Sequence, residues 1–405
     1  MRVDLLTREY PPHVYGGAGV HVEELAHVLS DLIDVRVHAF DGPRGTDAPA
    51  VVGYDYLPGL DEANPALRTM GVDLQMAQGV EGTDLVHSHT WYANMGGHWA
   101  HLLHEVPHVV SAHSLEPLRP WKREQLGGGY NLSSWAERTA FEAADGVIAV
   151  SNGMREDILR CYPKIAPDRV HVVHNGIDLS RWNKPQTDEE KQAARQTLKR
   201  LGIDENRPTV VFVGRVTRQK GLPHLLRALR EVPKETQVVL CAGAPDTKQI
   251  MEEVRGLVDE LREELNSVHL ITDMLPREQL VAVLSAGTVF VTPSVYEPLG
   301  IVNLEAMAVD LPVVGTATGG IPDVIVDGET GYLVPIEQKQ DGTGKPLDPQ
   351  KFQHDMAQRL TALLEDPDLA ARMGKAGRER AQAHFSWETI GKRTVEVYEQ
   401  VLNAR

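Results

Sequence analysis

Two glutamates in the second half of the chain are the side chains with the clearest potential for chemistry. Glu297 and Glu305 are separated by seven residues, in a segment that predicts a loop ending at Gly300 and a helix from about Ile301. Paired carboxylates first suggest the acid/base pair of a glycosidase. On one helix these two would stand about 12 Å apart, wider than the roughly 5 to 9.5 Å of such pairs. They are better interpreted as two separate contacts to one extended ligand.

A cationic loop lies upstream of these glutamates. The apolar run Thr209–Val213 is followed directly by a segment that contains Arg215, Arg218 and Lys220. The guanidinium of Arg215 can bind two phosphate oxygens as a fork, and the ammonium of Lys220 adds a point charge, a combination that suits a diphosphate. The alternative is a solvated surface loop whose charges are incidental.

Glycine-rich loops follow other apolar runs. Gly16 and Gly17 precede a helix predicted from about Val20, where backbone N–H groups can approach an anion with the help of the helix dipole. Gly319 and Gly320 belong to a second loop of this kind. Neither loop is a Gly-x-Gly-x-x-Gly fingerprint, and the alternative is that the glycines only make a turn.

The elements that must position these residues are short apolar runs that alternate with helical patterns along the chain. This alternation predicts an α/β protein with two doubly wound parallel sheets. Ligands of such sheets bind beyond the carboxyl ends of the strands, which is where the clusters described above lie. Strands are predicted at Arg2–Leu6, Val35–Phe40, Leu85–Ser88, His108–Ala112, Gly146–Val150 and Val170–His174, and then at Thr209–Val213, Gln237–Ala242, Val268–Ile271, Val289–Thr292 and Pro312–Gly315.

The junction of the two units is predicted near residues 176 to 205. The stretch His174–Asp178 is rich in turn residues, and a charged, polar segment follows it. Near the end of the chain, Glu388–Leu402 predicts a helix whose apolar positions must pack against another element.

Composition and charge narrow the classes of function. The chain has 405 residues, of which 42 % are hydrophobic and 24 % charged, as in an ordinary globular protein. A net charge of −16 repels phosphate backbones and anionic lipid, so we expect neither nucleic acid nor membrane as a partner. Cys161 and Cys241 form no Cys-x-x-Cys pair, and the chain shows neither a secretory leader nor about 18 uninterrupted apolar residues. These features favour a cytoplasmic protein.

Together, the motifs resemble those of one family of enzymes, the retaining GT-B glycosyltransferases, and most closely the branch of bacterial, actinobacterial-type glycogen synthases and maltose-1-phosphate synthases. The resemblance spans nearly the whole chain. It is carried by Gly16-Gly17, His113 within Ser111-Ala112-His113-Ser114, Arg215 with Lys220, Glu297 with Glu305, and Thr318-Gly319-Gly320.

The resemblance implies two Rossmann-like domains that face a central cleft. Residues 1–177 would form the acceptor-side domain and residues 178–385 the domain that binds the nucleotide sugar. Residues 386–405 would form a helix that packs back on the first domain.

The family also implies a role for each matching residue. Arg215 and Lys220 would hold the donor diphosphate and stabilise the leaving group. Glu297 would bind the hydroxyls of the transferred sugar, Glu305 the nucleotide ribose, and His113 would lie beside the sugar. Other contacts to the donor would come from the backbone of Gly16, Gly17, Leu299, Gly300, Gly319 and Gly320. No cofactor and no metal is expected.

The implied reaction transfers glucose with retention from ADP-glucose to glucose 1-phosphate, giving maltose 1-phosphate, or to the end of an α-1,4-glucan in glycogen biosynthesis. Lys122 and Arg138 would form the site for the phosphate of the acceptor, although surface solvation explains these cations equally well. A UDP-sugar donor is an alternative, and a homodimer is one expectation for the assembly.

Two other classes of protein compete with this hypothesis. His98, His101 and His104 follow one another at helical i, i+3 spacing, which suggests a zinc hydrolase, although the steps drift around a helix and no His-Glu-x-x-His pattern occurs. The tripeptide Asp366-Pro367-Asp368 resembles a metal-nucleotide motif but predicts a turn between helices. A non-catalytic protein that binds sugar nucleotides between two lobes is the second competitor.

Overall fold

A computed structural model describes residues 1–14, 16–42, 50–119, 122–123, 127–339 and 343–404. The chain divides into two units. The first contains Met1–Gly176 together with Trp387–Arg405, and the second contains Ile177–Ser386. These divisions lie one residue from the predicted boundaries at 177 and 385.

The first unit is built on a parallel seven-stranded sheet in the order β3-β2-β1-β4-β5-β6-β7. Its strands are β1 (Arg2–Thr7), β2 (Asp34–Phe40), β3 (Ala50–Tyr54), β4 (Leu85–His89), β5 (His108–Ala112), β6 (Gly146–Ala149) and β7 (Val170–Val172). Its helices up to residue 176 are α1 (Gly17–Ser30), α2 (Pro65–Gly79), α3 (Trp91–His104), α4 (Gly129–Ala143) and α5 (Asn152–Cys161). The central strands β4 and β5 are buried along their whole length, although each contains polar residues, among them His87, His89 and Ser111.

The second unit is built on a parallel six-stranded sheet in the order β10-β9-β8-β11-β12-β13. Its strands are β8 (Thr209–Arg215), β9 (Gln237–Gly243), β10 (Ser267–Ile271), β11 (Val289–Thr292), β12 (Val313–Thr316) and β13 (Gly331–Val334). Its helices are α6 (Asp188–Leu201), α7 (Leu222–Ala228), α8 (Lys248–Glu264), α9 (Arg277–Ser285), α10 (Ile301–Ala308), α11 (Ile321–Val324), α12 (Pro349–Leu364) and α13 (Pro367–His384).

The α/β fold with two doubly wound sheets is confirmed, whereas one edge strand of each sheet was missed. Each strand predicted from the sequence is present. The strands β3 and β13 were not predicted, and both are edge strands of a few residues with half-exposed positions. Both are short runs that contain a glycine, which weakens the sequence signal of a strand, so pairing with a neighbour decides their structure.

A helix occupies the segment that was predicted to be a linker. Thr187 and Glu190 form a capping box at the start of α6, and Gly202 ends the helix with a φ of +74°. Only Leu198 of this helix is buried. Little apolar surface of this helix is buried, and a local interaction, the capping box, stabilises its start, which is why its composition resembled a linker.

The last helix, α14 (Trp387–Asn403), packs against α1 within the first unit. Tyr398 is fully buried there, and its hydroxyl lies 2.7 Å from Nδ1 of His87. A Cβ at Gly391 would approach Val28 Cγ1 to 2.9 Å, so the absence of a side chain lets the two helices come close. Among the described residues, no helix has the length and apolar composition that crossing a bilayer requires.

Candidate active site

The second unit brings Lys220 and Glu297 into direct contact at the carboxyl edge of its sheet. The Lys220 ammonium donates to Glu297 Oε2 at 2.6 Å, and the Ser294 hydroxyl donates to the same oxygen at 3.0 Å. The lysine and glutamate side chains are 18 % and 8 % exposed. Because two donors hold one oxygen of a largely buried carboxylate, the glutamate is fixed in direction, while its second oxygen is left to bind other groups.

The backbone around Glu297 depends on a close approach by Gly319. This glycine has a φ of +55°, and a Cβ there would lie 2.0 Å from the carbonyl oxygen of Glu297, so no side chain fits. The next amide, that of Gly320, donates to the same carbonyl at 2.9 Å. The Gly320 amide is therefore engaged within the protein, whereas the family resemblance implied a contact to the donor.

Glu305 lies one turn inside α10, which begins at Ile301 as predicted. The helix is preceded by Leu299, which is buried, and by Gly300, whose φ is +91°. Burial raises the pKa of Glu305 to about 7, and the positive charges of Arg277 and Lys220 oppose this shift. The Glu305 carboxyl therefore changes its charge near neutral pH.

This titration predicts a pH dependence of donor binding if Glu305 holds the ribose. Below the pKa of about 7 the carboxyl is protonated, and above it the carboxylate accepts hydrogen bonds from two hydroxyls more strongly. The apparent KM for the nucleotide sugar should therefore fall as the pH rises from about 6 to about 8, whereas Glu305→Gln should raise KM and show little of this dependence. Initial rates over this range test it, and an unchanged pH profile in Glu305→Gln would contradict the assignment.

Arg215 ends β8 and is exposed to solvent. Its side chain is 57 % exposed, and its guanidinium lies 3.5 Å from an Asp246 carboxylate oxygen. Arg218 in the same loop donates to Glu253 at 2.6 Å instead. Of the three cations in this loop, Lys220 therefore contacts Glu297, Arg215 faces solvent, and Arg218 pairs with a helix of the same unit.

In the first unit, the glycine loop leads directly into α1. The helix begins at Gly17, earlier than predicted, and the Gly16 amide donates to Glu9 Oε2 at 2.8 Å. The Gly16 amide, which the family resemblance assigned to the donor, is therefore already hydrogen-bonded to the Glu9 carboxylate. The role of Gly17 in binding the donor stays a prediction.

His113 belongs to a cluster of histidines drawn from three elements. Its Nε2 lies 3.0 Å from Nδ1 of His89, the last residue of β4, and its ring centroid is 4.8 Å from that of His21 in α1. Burial lowers the pKa of His113 to about 4. Burial, with the neighbouring histidines, also lowers the pKa values of His21 and His89 well below the usual range. The cluster is therefore uncharged at neutral pH.

His21 and His89 were missed as members of the site. Their positions, in the helix after the glycine loop and at the carboxyl end of a strand, are where an α/β sheet places its ligand contacts. Among the described residues, they form with His113 the one group of three potential metal ligands whose donor atoms lie within 4.8 Å of one another.

The other histidine and aspartate motifs form no such centre. In α3, His101 Nδ1 lies 2.9 Å from the Val106 carbonyl and 3.3 Å from Asp145 Oδ2, and His104 Nε2 lies 3.0 Å from the Ala77 carbonyl. Asp366 caps α13 by accepting from the Leu369 amide at 2.9 Å, so it begins a helix. Neither arrangement favours the zinc-hydrolase hypothesis.

The two cations predicted for the acceptor have different surroundings. Lys122 is buried, and its ammonium lies 3.5 Å from Glu116 Oε1, so its charge is already balanced. Burial lowers the pKa of Lys122, with a further contribution from Arg119. Arg138 is exposed on α4, and Trp135 on the same helix is 50 % exposed. Their role in binding an acceptor stays a prediction.

Comparison with known proteins agrees with this architecture. Residues 15–181 match the family model described as Glycosyltransferase Family 4, and residues 194–380 match Glycosyl transferases group 1. The structure is similar to sucrose-phosphate synthase from Thermosynechococcus elongatus, with a TM-score of 0.76 at 24 % identity over the whole of both chains. The chain belongs to the GT-B glycosyltransferases, and it is a hexosyltransferase.

Two relatives resemble the chain over its full length. Alpha-maltose-1-phosphate synthase from Mycolicibacterium smegmatis is 53 % identical over 99 % of this chain and 100 % of its own. The protein of the same name from Mycobacterium tuberculosis is 50 % identical over the same shares of the two chains. These similarities confirm the family resemblance that the sequence motifs indicated.

Proposed function

We propose that this enzyme transfers glucose from ADP-glucose to glucose 1-phosphate with retention of the anomeric configuration, producing maltose 1-phosphate. Support comes from the two alpha-maltose-1-phosphate synthases, whose similarity extends through both units of the chain. Elongation of an α-1,4-glucan is the alternative reaction of the same site. A role in glycogen biosynthesis would follow from either reaction.

The contact between Lys220 and Glu297 is the observation that carries the proposal. Departure of the nucleoside diphosphate leaves positive charge at the anomeric carbon and negative charge on the leaving oxygens. An ammonium 2.6 Å from a carboxylate places both complementary charges side by side before the reaction. Lys220, with Arg215, would stabilise the diphosphate, while Glu297 would hold the hydroxyls of the sugar.

The proposed reaction uses no carboxylate nucleophile. The acceptor hydroxyl would attack the anomeric carbon on the face that the diphosphate leaves, and the departing phosphate would take the proton of that hydroxyl. His113 suits a place beside the developing positive charge because its pKa of about 4 leaves the imidazole neutral at pH 7. A protonated ring there would repel that charge.

Turnover with several donors and acceptors tests the proposal directly. ADP-glucose and UDP-glucose would each be supplied with glucose 1-phosphate, maltose 1-phosphate or glycogen, and NMR would give the anomeric configuration of the product. We expect the highest kcat/KM for ADP-glucose with glucose 1-phosphate and an α-configured product. Turnover on glycogen with none on glucose 1-phosphate would establish glucan elongation instead, and nucleotide binding without any turnover would favour the non-catalytic alternative.

The reaction should proceed without a divalent metal. Arg215 and Lys220 would meet the charge of the diphosphate that a metal ion neutralises in other enzymes. Treatment with EDTA and removal of the chelator should therefore leave the initial rate largely intact. Loss of activity that zinc or magnesium restores would contradict this expectation and direct attention to the group formed by His21, His89 and His113.

A further inference from the structure

Arg8 is a cation at the carboxyl edge of β1 to which neither the motifs nor the proposed reaction gives a role. It directly follows the last residue of the strand, and its side chain is half-buried. Its guanidinium lies over the ring of Tyr92 in the first turn of α3, 4.4 Å from the ring centroid. A cation above an aromatic face keeps its outward N–H groups available for hydrogen bonds.

Unlike Arg36, Arg119 and Lys122 of the same unit, Arg8 has no acidic partner among the described residues. Within the described ranges of the chain, no carboxylate oxygen lies within 4.0 Å of its guanidinium. Arg36 in the same unit pairs with Asp4 at 2.5 Å, and Arg119 and Lys122 lie 4.0 and 3.5 Å from Glu116. A half-buried guanidinium without a counter-ion, in a chain of net charge −16, favours an anionic ligand as its partner.

A second polar group near Arg8 is also without a partner. Trp91 is 4 % exposed, and its indole Nε1 makes no hydrogen bond to any described residue. Its ring centroid is 4.2 Å from that of Tyr92, on which Arg8 lies. Trp91 and Tyr92 are also the first residues of α3, whose N-cap, Thr90, provides no side-chain capping bond. The Ala93 amide donates to the Thr90 carbonyl at 3.2 Å, which leaves the amides of Trp91 and Tyr92 without a partner within their own helix.

The strand register places Arg8, Trp91 and Tyr92 beside the cluster of His21, His89 and His113. Leu6 of β1 pairs with Ser88 of β4, and His89 of β4 pairs with Ser111 of β5. If this register is continued beyond the strands, Arg8 lies opposite Thr90. His113, which follows β5, lies at the same edge of the sheet. A ligand held by Arg8 would therefore lie near the histidine that is proposed to lie beside the transferred sugar.

We propose that Arg8 binds the phosphate of the sugar-phosphate acceptor, with the indole N–H of Trp91 and the backbone amides of Trp91 and Tyr92 as further donors. The guanidinium can bind two phosphate oxygens while it lies on Tyr92, and the helix dipole favours the same charge. This inference rests on the proposed function because it assigns a site to the phosphate of that acceptor. It also makes Arg8 a residue that distinguishes a phosphorylated acceptor from a neutral glucan end.

Steady-state kinetics of Arg8→Ala and Arg8→Lys test the assignment. We expect Arg8→Ala to raise the KM for glucose 1-phosphate at least 10-fold, as for loss of a charged hydrogen-bonding partner, while the KM for ADP-glucose stays within about twofold. Arg8→Lys keeps the charge but loses the fork, so its effect should be intermediate. With maltotriose, an acceptor without phosphate, any residual rate should be the same in Arg8→Ala and the wild type.

Lys122→Ala and Arg138→Ala provide the comparison between the two candidate phosphate sites. If Arg8 binds the phosphate, the KM for glucose 1-phosphate should rise more in Arg8→Ala than in either of these variants. A larger rise in the double variant of Lys122 and Arg138, with no change in Arg8→Ala, would overturn the assignment to Arg8. Thermal unfolding midpoints of all variants would separate loss of binding from loss of structure.

Direct binding separates this inference from the proposed function. Glucose 1-phosphate would be titrated by calorimetry into enzyme saturated with ADP, which keeps the acceptor phosphate out of the donor site. Loss of that binding in folded Arg8→Ala supports the assignment even if the wild type prefers glycogen in turnover, and equal binding overturns it. Absence of turnover of glucose 1-phosphate by the wild type would overturn the proposed acceptor. Absence of its binding to the wild type would overturn the assignment of Arg8 as well.

Discussion

Replacing Lys220 by alanine is expected to lower kcat by about 10² to 10³, the loss seen when one preorganised group that stabilises charge in a transition state is removed. Two effects act together. The leaving diphosphate loses a cation, and Glu297, which is largely buried, loses a donor 2.6 Å away. Single-turnover rates at saturating ADP-glucose would measure the chemical step without a contribution from product release.

Arg218→Ala is the matched control for this variant. It removes a positive charge from the same loop, but Arg218 pairs with Glu253 and is 60 % exposed. We expect kcat to change by less than about threefold, as for the loss of a solvated ion pair. Equal losses in Lys220→Ala and Arg218→Ala would mean that the charge of the whole loop matters, and near-wild-type turnover in Lys220→Ala would remove its assignment to the diphosphate.

Replacing Glu297 by glutamine should lower kcat by about 10² or more. The amide is nearly isosteric but is uncharged, and its NH₂ group cannot accept a bond from Lys220 or Ser294. Both donors now meet one carboxylate oxygen, at 2.6 and 3.0 Å. The variant should therefore lose a fixed negative charge near the sugar while keeping the shape of the loop, and pre-steady-state rates would measure this loss.

Ser294→Ala separates the charge of Glu297 from its orientation. It removes one donor to the carboxylate and leaves the charge and the Lys220 pair in place. We expect a fall in kcat clearly smaller than that of Glu297→Gln, with an unfolding midpoint close to that of the wild type. If both variants lost the same activity, orientation rather than charge would be the contribution of this glutamate, and a fully active Glu297→Gln would exclude it from the chemistry.

The architecture and the loops that carry the candidate site of the second unit were largely predictable because their signals are local in the sequence. Apolar runs of strand length report burial on both faces of a parallel sheet, and glycines mark the loops that follow. The loop before Ile301 and the helix that carries Glu305 were predicted in this way. Capping also acts over a few residues, so the Thr187 and Glu190 box could have identified α6, had composition not suggested a linker.

Contacts between residues far apart in the chain could not be predicted from these signals. His21, His89 and His113 lie in α1, at the end of β4 and just after β5, and they meet because β1, β4 and β5 are neighbours in the sheet. Strand order is set by the packing of whole elements, which no short stretch of sequence encodes. The same holds for Lys122, whose partner Glu116 balances a charge that the sequence offered to a ligand.

Arg8 illustrates the same division. The sequence alone identifies a cation after a strand, as it does for Arg215. The fold determines that Arg8 lies over Tyr92 without an acidic partner in the described part of the chain, whereas Lys122 lies beside Glu116. Residue type and hydrophobic period are properties of the chain and determine the elements and the loops between them. The burial of a charged side chain and the identity of its neighbours are decided only when distant segments pack together. These two properties determine which cations remain available to a ligand.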